Sequence, residues 1–357
     1  MRPIEFGIVG AGWRAEFYMR IARALPDRFS ITAVVESNEE KRKPFEQKWG
    51  ARVYGDIAEL LKKASPSFVV AAVSWPSTPV VLAELSERKM PALSETPPAP
   101  DLEGLRNLLP LTKKDVRIQV GEQYWLQPHS QACSAVIKKG LIGRPTYAQV
   151  SVGHGYHGIG TIRRFLGIGL EAPKISGKRF RAPIVAGGGR QGPPEREQIR
   201  DSEQDIIFLD WGDRLGVLDF TGDQYFGWIR NPRVLIRGER GEIVNDTVYY
   251  LKDFRTPMAV SLRRDITGAN GNLEGFYLRG IQAGSEWAYT NPFAPAPLSD
   301  DEIAIATCLT KMDEYVRTGR EFYTLAEACQ DHYLNLVYQQ ALREGREVQV
   351  EPQEWAD

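Results

Sequence analysis

Small residues near the start of the chain have the spacing of a pyrophosphate-binding turn. Gly10, Gly12 and Ala15 form a GxGxxA pattern directly after an apolar run. In such a turn the first glycine permits a tight bend, the second lets the backbone approach the phosphates, and the third small residue lets a helix pack closely on the strand. The phosphates then lie at the N-terminus of that helix. Trp13 and Arg14, inside the turn, are therefore predicted cofactor contacts.

A carboxylate at position 36 indicates which dinucleotide the turn would bind. Glu36 lies 24 residues after Gly12 and ends the second apolar run, the place from which an acidic side chain accepts hydrogen bonds from ribose hydroxyls. This arrangement favours NAD. Lys41 and Arg42 follow closely and Arg14 lies in the turn, so these side chains could instead hold the 2′-phosphate of NADP. We predict NAD as the cofactor and keep NADP as the alternative.

A second cluster has the residue types that move protons. His154, Tyr156 and His157 lie within four residues of one another in a glycine-rich segment. Imidazole is the side chain best matched to proton transfer at neutral pH, so we predict His157 as a catalytic acid/base, with Tyr156 beside it. One alternative is a core histidine that satisfies a helix cap. Metal binding by the two histidines is disfavoured, because no carboxylate is near them in the sequence.

Three residues are predicted to touch the substrate. Tyr124 offers an aromatic ring to the apolar face of a sugar-like compound, His154 offers an imidazole, and Arg163 could bind an anionic group. Aromatic residues pack in cores by default, and an arginine on a helix more often lies on a solvated face or at an interface. These readings remain the alternatives for Tyr124 and Arg163.

The elements that must position these residues follow two different patterns. Up to about residue 120, short apolar runs alternate with amphipathic helices, which predicts a parallel, doubly wound sheet with its ligand crevice at the carboxyl ends of the strands. The predicted strands are 4–9, 31–36, 68–73, 92–94 and 117–120, and the predicted helices are 15–24, 39–49, 57–63, 78–88 and 102–109. After residue 125 the pattern is that of an α+β region with a largely antiparallel open sheet. Its predicted elements are a helix at 130–139, strands at 146–152, 174–182, 204–209, 214–221 and 233–237, a loop at 187–194, and helices at 300–318 and 324–344.

We therefore predict an α/β protein with two domains. Residues 1–125 form a Rossmann domain that binds NAD(P), and residues 126–357 form a substrate-binding and oligomerisation domain whose C-terminal helices could pack back on the first. The length of 357 residues suits this division, because single cores rarely exceed roughly 250 residues.

Composition excludes several classes of function. The 45 Lys and Arg residues nearly balance the 46 Asp and Glu residues, so no broad field would attract nucleic acid or an anionic membrane. No stretch reaches the roughly 18 apolar residues of a membrane span, and no basic-then-apolar leader is present. Cys133, Cys308 and Cys329 have neither disulfide-framework nor zinc spacing. We expect a small-molecule substrate and a cytoplasmic location.

Further segments match the pattern of one known family. They are Ser-Trp-Pro at 74–76, Ser-Glu-Thr-Pro at 94–97, Gly-Glu-Gln-Tyr-Trp-Leu-Gln-Pro at 121–128, Ile-Lys-Lys-Gly-Leu-Ile-Gly-Arg-Pro at 137–145, His157 ten residues before Gly167, and Pro-Arg-Val-Leu-Ile-Arg-Gly-Glu-Arg-Gly at 232–241. With the GxGxxA turn, they make the chain similar to the Gfo/Idh/MocA oxidoreductases, relatives of glucose-fructose oxidoreductase and inositol dehydrogenase, over nearly its whole length. The resemblance implies a nicotinamide cofactor. It also implies cofactor contacts by Ser74, Trp75, Glu95 and Gln123.

The resemblance is incomplete at the catalytic positions. In the family, the Lys of a Glu-Lys-Pro motif assists proton transfer from the substrate hydroxyl, and its position here is Thr96. A neutral hydroxyl cannot replace an ammonium as an acid, so Thr96 is expected to be a hydrogen-bonding or steric element, with Tyr156 or His154 in place of the lysine. The positions of two usual carboxylates are Gly153 and Gly160.

Two classes of function follow from this pattern. The first is an NAD(P)-dependent oxidoreductase that transfers a hydride between nicotinamide and a sugar, cyclitol or related hydroxy or keto compound. In a variant of it, bound NAD assists elimination or glycoside cleavage. The second is a nucleotide-binding sensor or partner subunit without turnover. Because an open antiparallel sheet needs covering, we expect a homodimer or homotetramer.

Overall fold

The computed structural model describes residues 2–112, 116–190, 192–226 and 228–356. The chain forms two compact units, each built from several segments. The first contains Met1–Pro128, Asp265–Arg279 and Asn291–Cys329, and the second contains His129–Arg264, Gly280–Thr290 and Gln330–Asp357. Both units are thus discontinuous along the chain, and the division of roles between 1–125 and 126–357 stays a prediction.

The first unit is built on a parallel sheet. Its strands are β1 (Ile4–Val9), β2 (Phe29–Val35), β3 (Val53–Tyr54), β4 (Phe68–Ala71), β5 (Ala92–Ser94) and β6 (Ile118–Val120). They are ordered β3-β2-β1-β4-β5-β6, and every neighbouring pair is parallel. This is the strand order of the dinucleotide-binding fold, which binds its ligand where the order reverses, beside β1.

Helices follow the strands of this sheet, with ends set by local capping. They are α1 (Ala15–Ala24), α2 (Glu39–Trp49), α3 (Ile57–Lys63), α4 (Thr78–Glu87), α5 (Leu102–Asn107) and α6 (Leu109–Thr112). The Asn38 side chain accepts a hydrogen bond from the Glu40 N–H at the start of α2, and Asp56 caps α3 in the same way. These contacts satisfy backbone donors that a helix start otherwise leaves unpaired.

A late segment of the chain completes the first unit. The Val120 N–H donates to the Tyr323 carbonyl at 3.0 Å, and the buried Gln119 side chain accepts from the N–H groups of Phe322 and Tyr323, both at 2.9 Å. Residues about 200 positions away therefore pair with the edge strand β6.

The second unit is built around a long, mostly antiparallel sheet. It has two helices, α7 (Pro128–Lys138) and α8 (Gly155–Leu166), before most of its strands. The strands are β7 (Pro145–Ser151), β8 (Lys174–Val185), β9 (Ile199–Asp210), β10 (Leu215–Thr221), β11 (Arg233–Gly238), β12 (Gly241–Val244), β13 (Thr247–Leu251), β14 (Pro257–Ile266), β15 (Leu278–Ala283), β16 (Glu286–Thr290) and β17 (Val348–Gln349). Their order is β16-β15-β14-β13-β12-β11-β7-β10-β9-β8-β17. Strand β10 runs parallel to β7 on one side and antiparallel to β9 on the other.

Two long helices follow in the sequence. They are α9 (Asp300–Thr318), which belongs to the first unit, and α10 (Leu325–Glu344), most of which belongs to the second. A capping box between Ser299 and Glu302 starts α9, and Gly319 in the left-handed region ends it. Gly345, with φ of +64°, follows α10 as predicted.

The two faces of the second unit's sheet differ. Ile207, Leu218, Val150 and Val234 form one cross-strand row and are all buried, on the face where α8 packs against Gly216 and Leu218. The adjacent row lies on the opposite face and includes Phe208, which is 40% exposed. The predicted open sheet is therefore confirmed.

The α/β fold class predicted from the sequence is confirmed, with corrections in the elements. The region 241–290, which received no predicted element, contains β12 to β16, and β8 and β9 are longer than predicted. Part of the predicted loop at 187–194 lies outside the described residues. Cys133, Cys308 and Cys329 are free thiols, all buried. Among the described residues, none of the helices combines the length and the apolar character needed to cross a bilayer.

Candidate functional site

The turn between β1 and α1 has the shape that a pyrophosphate requires. Gly10 has φ of +106°, and a Cβ atom there would overlap the carbonyl oxygen of Ala72, so only glycine fits. At Gly12 a Cβ would meet nothing within 4 Å, which leaves space in front of the turn. Ala15 is fully buried at the start of α1. The structure thus gives each small residue the position that the motif predicts.

The Glu36 carboxylate lies beside this turn. Its Oε2 accepts a hydrogen bond from the Ala11 N–H at 3.3 Å, and its Oε1 accepts from the Asn38 N–H at 2.9 Å. Arg42 donates to the carbonyl oxygens of Glu36 and Ser37, at 2.7 and 3.0 Å. Because a carboxylate lies at the strand end and the nearby guanidinium is held by backbone oxygens, the geometry favours ribose hydroxyls over a 2′-phosphate.

The side chain of Arg14 is held inside the first unit. Its Nε donates to Glu95 Oε1 at 2.7 Å, and its Nη1 lies 3.5 Å from Asp301 Oδ2. Burial opposes the charge, but Glu95, Tyr18 and Asp301 outweigh it and raise the pKa of Arg14. The Tyr18 hydroxyl also donates to Glu95, and burial followed by that carboxylate raises the pKa of Tyr18. A cofactor contact by Arg14 stays a prediction, with its backbone N–H as the available group.

The other predicted cofactor residues of this unit follow the ends of parallel strands. Ser74 follows β4, Glu95 and Thr96 follow β5, and Gln123 follows β6. The carboxyl ends of parallel strands share one sheet edge, so these residues lie on the side where such folds bind ligands.

The predicted cofactor residues of the first unit differ in how exposed their side chains are. Trp13 and Trp75 are 57% and 47% exposed, and the Ser74 hydroxyl lies 2.9 Å from that of Ser77. Thr96 is half-buried, and the peptide between it and Pro97 is cis.

Gln123 and Tyr124 lie at a short 3-10 turn, Tyr124–Leu126. Tyr124 is half-buried, and its N–H donates to Glu122 Oε1 at 2.9 Å. Gln123 is 5% exposed, and its Oε1 has no hydrogen-bond partner among the described residues. An unsatisfied buried acceptor in a native structure calls for a missing donor.

These observations fit a bound dinucleotide. The space in front of Gly12 and the N-terminus of α1 would receive the phosphates, and Glu36 would accept from ribose hydroxyls. A carboxamide N–H₂, such as that of nicotinamide, would satisfy Gln123 Oε1. The first unit therefore has groups suited to the phosphates, a ribose and the carboxamide of NAD.

In the second unit, the predicted proton-transfer residues form one aromatic cluster. The ring of His154 lies 5.2 Å from that of Tyr156 and 5.0 Å from that of His157, and the rings of Tyr156 and His157 lie 4.4 Å apart. His332 of α10 joins them, 5.5 Å from Tyr156. The structure thus brings His154, Tyr156 and His157 together.

A tight backbone at the start of α8 produces this cluster. His154 is the N-cap residue, and Gly155 follows with φ of +44°. A Cβ on Gly155 would overlap the side chain of Asn335 on α10, so glycine is needed here. His157 is 6% exposed, and Thr161 Oγ1 donates to its carbonyl oxygen at 2.8 Å.

His154 is also bound to a residue that the sequence did not single out as site-facing. The Tyr225 hydroxyl lies 2.5 Å from His154 Nδ1 and 3.2 Å from the His154 backbone N. Desolvation and then repulsion from His157 lower the pKa of His154 to about 3. The residue still has an exposed surface, but any lowering from the usual 6.5 leaves its imidazole neutral at pH 7.

A cavity of about 270 Å³ opens beside this pair. It is lined by His154, Gly155, Glu203, Asp205, Leu218, Phe220, Gly222, Tyr225 and Tyr338. Arg179 forms a bidentate ion pair with Asp205, at 2.6 and 2.8 Å, and Arg181 lies 2.9 Å from Glu203. The two carboxylates of the cavity wall are therefore balanced by two guanidinium groups.

Arg163 lies apart from this cavity wall. It is 3% exposed, pairs with Asp331 of α10, and donates through Nε to the Gly169 carbonyl at 2.8 Å. Because these contacts occupy its donors in the core, the structure favours a structural role over the predicted contact with an anionic substrate.

Sequence reasoning missed Tyr225 and the acidic cavity wall. Tyr225 ends a short 3-10 turn after β10, which begins with a capping box between Thr221 and Gln224. The Thr-x-x-Gln spacing is a sequence signal for that turn. Glu203 and Asp205 gave no such signal, because alternating charges on a strand usually mark a solvated face. Among the described residues, no group of three or more His, Cys, Asp or Glu side chains is placed to hold a metal ion.

The first unit therefore has the strand order, the glycine turn and the ribose carboxylate of an NAD-binding Rossmann domain. Residues 4–122 match the model of a family described as "Oxidoreductase family, NAD-binding Rossmann fold", the Gfo/Idh/MocA family. Residues 4–122 are thus similar to the NAD-binding domain of this oxidoreductase family, as the resemblance implied.

A curated relative is a sugar dehydrogenase. D-apiose dehydrogenase of Rhizobium rhizogenes is 25% identical over 158 residues, which are 44% of this chain and 46% of that protein. The chain therefore matches less than half of that relative's length.

Solved structures share the fold over nearly the whole chain. An oxidoreductase from Agrobacterium radiobacter, solved with NAD+, L-tartaric acid and magnesium, has a TM-score of 0.68 at 17% identity and covers 97% of this chain and 98% of its own. A myo-inositol dehydrogenase from Corynebacterium glutamicum has a TM-score of 0.65 at 15% identity, with 98% and 100% covered. The WlbA dehydrogenase from Bordetella pertussis, solved with NADH and UDP-GlcNAcA, has a TM-score of 0.63 at 17% identity, with 98% and 99% covered. At these identities the likeness shows the fold.

Proposed function

We propose that the protein is an NAD-dependent oxidoreductase acting on a sugar, a cyclitol or a related hydroxy or keto compound. The observation that carries the proposal is the turn at Gly10 and Gly12, with Glu36 beside it, in a domain that matches an NAD-binding oxidoreductase family. The substrate class is supported by the relatives, one a D-apiose dehydrogenase and one a myo-inositol dehydrogenase.

The two parts of the chain have different tasks in this proposal. Residues 1–125 bind the dinucleotide, with Ser74, Trp75 and Gln123 among its contacts and Thr96 at the nicotinamide. The nicotinamide supplies hydride acceptance or donation when bound. Residues 126–357 bind the substrate, and His157 exchanges the proton of the substrate hydroxyl, with Tyr156 at 4.4 Å between ring centres to orient it.

The first test measures nucleotide binding. The purified protein is denatured, and any released nucleotide is identified by mass spectrometry. Apo protein is then titrated with NADH and NADPH by quenching of tryptophan fluorescence. We expect tighter binding of NADH, because Glu36 repels a 2′-phosphate. Failure to bind either nucleotide would refute the proposed function.

The second test separates turnover from binding alone. Wild type, His157→Gln and a control, His129→Gln, are screened with a panel of sugars and cyclitols. We expect turnover that is lost in His157→Gln and kept in the control. A nucleotide-binding sensor is the second candidate, favoured by Thr96 at the family's lysine position. It is supported if wild type is inert and Thr96→Lys gains activity.

We also propose that the chain forms a homodimer or homotetramer through the open face of the second unit's sheet. Phe208, Val244 and Tyr249 on this face are 40%, 36% and 47% exposed. Phe208 and Val244 lie in one cross-strand row with Val217, Gln149 and Leu235 between them, and Tyr249 lies in a neighbouring row. Contiguous exposed apolar surface marks association sites. Sedimentation should show an oligomer that Phe208→Lys dissociates. A monomeric wild type at micromolar concentration would contradict this proposal.

The location proposed for the protein is the cytoplasm. Its three buried thiols are free, and reducing compartments keep cysteines in that state.

A further inference from the structure

We propose that Tyr225 is a positioning residue that holds His154 in its neutral Nε2–H tautomer, so that this N–H donates to an oxygen of an uncharged substrate in the adjacent cavity. The inference rests on the proposed function, since it assigns a substrate contact and a substrate charge to the same reaction.

The hydrogen bonds around Tyr225 suit this tautomer. The phenol oxygen accepts from the His154 backbone N–H at 3.2 Å and lies 2.5 Å from Nδ1 of the same residue, close enough to donate its proton to that nitrogen. A neutral imidazole that accepts at Nδ1 carries its proton on Nε2. Among the described residues, His154 Nε2 has no hydrogen-bond partner, so its proton is available to a ligand.

The phenol is held in place by its own packing. The Tyr225 ring lies 4.9 Å from the ring of Phe220 and 5.9 Å from that of His154, in an edge-to-face arrangement with each. Both Tyr225 and Phe220 line the cavity. A Phe at position 225 would keep these ring contacts and remove only the hydroxyl.

The cavity's surroundings indicate that the ligand is uncharged. Its titratable wall residues are Glu203 and Asp205 from β9 and Tyr338 from α10, besides His154 and Tyr225. Arg179 and Arg181 of β8 neutralise the two carboxylates. Behind His154, Tyr156 and His157 contribute aromatic rings. With no unbalanced charge on the wall, a carboxylate or phosphate ligand would lose its hydration without a counter-charge.

A neutral imidazole suits the proposed reaction. When hydride adds to a carbonyl carbon, negative charge develops on the oxygen, and a donor fixed in advance stabilises that charge. A neutral imidazole can fill this role if its pKa is low enough to prevent protonation. The position of His154 at the N-terminus of α8 adds to that effect, since the positive end of a helix disfavours a cation.

Histidine NMR of the full-length protein tests the tautomer without any need for turnover. The chain has four histidines, so [¹⁵N]histidine-labelled protein gives few signals, and His154→Gln assigns the relevant pair. In wild type we expect a protonated Nε2 and an unprotonated Nδ1 across pH 5 to 8. Tyr225→Phe should shift the two nitrogens toward each other as the tautomers mix, and Tyr54→Phe, a control on β3 of the first unit, should change neither.

The same signals test the ligand's charge. Neutral D-glucose, D-apiose and myo-inositol, at millimolar concentration with NADH present, are compared with the acids D-glucuronate and L-tartrate. We expect at least one neutral compound, and neither acid, to shift His154 Nε2. With the compound that turns over, Tyr225→Phe should lower kcat by roughly ten- to hundred-fold and leave the Kd for NADH unchanged, as loss of an aligned transition-state donor does.

Several results would overturn the inference. They are a protonated Nδ1 in wild type, an unchanged tautomer in Tyr225→Phe, or a His154 signal that responds to the acids alone or to no compound. Retained NADH binding in the same samples would show that the proposed function survives such a result. Loss of NADH binding in wild type would instead refute the proposed function, whatever the tautomer.

Discussion

Replacing Arg163 by methionine should destabilise the second unit without a specific effect on substrate binding. The Arg163 and Asp331 side chains are 4% and 1% exposed and form an ion pair between α8 and α10. Removing the guanidinium takes away the ion-pair partner that a buried carboxylate has across the two helices. Breaking a buried pair in this way costs about 3–5 kcal/mol, whereas the pair itself adds much less relative to apolar residues of similar size. The Gly169 carbonyl also loses its donor.

Urea unfolding of the variants measures this effect. With an m-value of about 3 kcal/mol/M, the expected loss lowers the midpoint by about 1 to 1.7 M. Asp331→Leu should cost a similar amount, because it removes the carboxylate that pairs with this buried guanidinium. The double variant Arg163→Met/Asp331→Leu should lose less than the two single losses together, by about 1–3 kcal/mol. Arg164→Met is the matched control, since its side chain is exposed on the same helix, and it should change stability by less than about 0.5 kcal/mol.

One combination of results would refute this reasoning. If Arg163→Met unfolded at the wild-type urea concentration but lost affinity for an acidic substrate, the ion pair with Asp331 would not be the role of this residue. The contact with an anionic substrate group expected from the sequence would then be correct.

Three further predictions follow from the site and from one surface pair. Gly10→Ala should reduce the stability of the protein, because Gly10 has a positive φ and a Cβ there would overlap the backbone. Gly12→Ala should leave the urea midpoint of unfolding unchanged and weaken NADH binding at least about ten-fold, since its Cβ would enter only the space predicted for the cofactor. Equal losses of stability in both variants would contradict this. Glu36→Ser should reduce the preference for NADH over NADPH in fluorescence titrations, and an unchanged ratio would show that the carboxylate does not face the ribose. Burial opposes the charge on His129, but its hydrogen bond with Asp246 outweighs it and raises the pKa to about 10. His129→Gln should therefore lower the melting temperature most near about pH 6 and least near pH 10. The ion pair stabilises the folded protein fully below the pKa of histidine in the unfolded chain, and this stabilisation is lost as the pH rises through the pKa of His129 in the folded protein. A difference in melting temperature that does not change with pH would argue against a charged imidazole.

The sequence predicted the first unit well because its signals are local. The apolar run of β1, the glycine turn and the amphipathic α1 follow one another within about 20 residues, and Glu36 ends the next strand. Each of these features depends on neighbours in the sequence, and the parallel order follows from the crossover helices. The glycine turn and the carboxylate beside it could therefore be located from spacing alone.

The second unit was predicted less completely because its strands lack a clear pattern. In β14, Met258, Val260 and Leu262 alternate with exposed residues, but Arg264 interrupts the apolar face, so the signal of a half-buried strand is short. The contact between Tyr225 and His154 joins residues 71 positions apart. The partner of Arg163 lies 168 positions away. Such pairings depend on tertiary packing, which a single sequence does not display.

The hydrogen bonds between β6 and residues 322–323 also concern how the protein is made. During synthesis, the N-terminal sheet emerges from the ribosome long before the segment that pairs with its edge, which lies 203 residues after Gln119. At about 5–20 residues per second, the interval is roughly 10 to 40 s. Unpaired strand edges invite aggregation. A nascent chain thus exposes the edge at Ile118–Val120 throughout that interval, and we expect chaperones that shield strand edges to raise the yield of this protein.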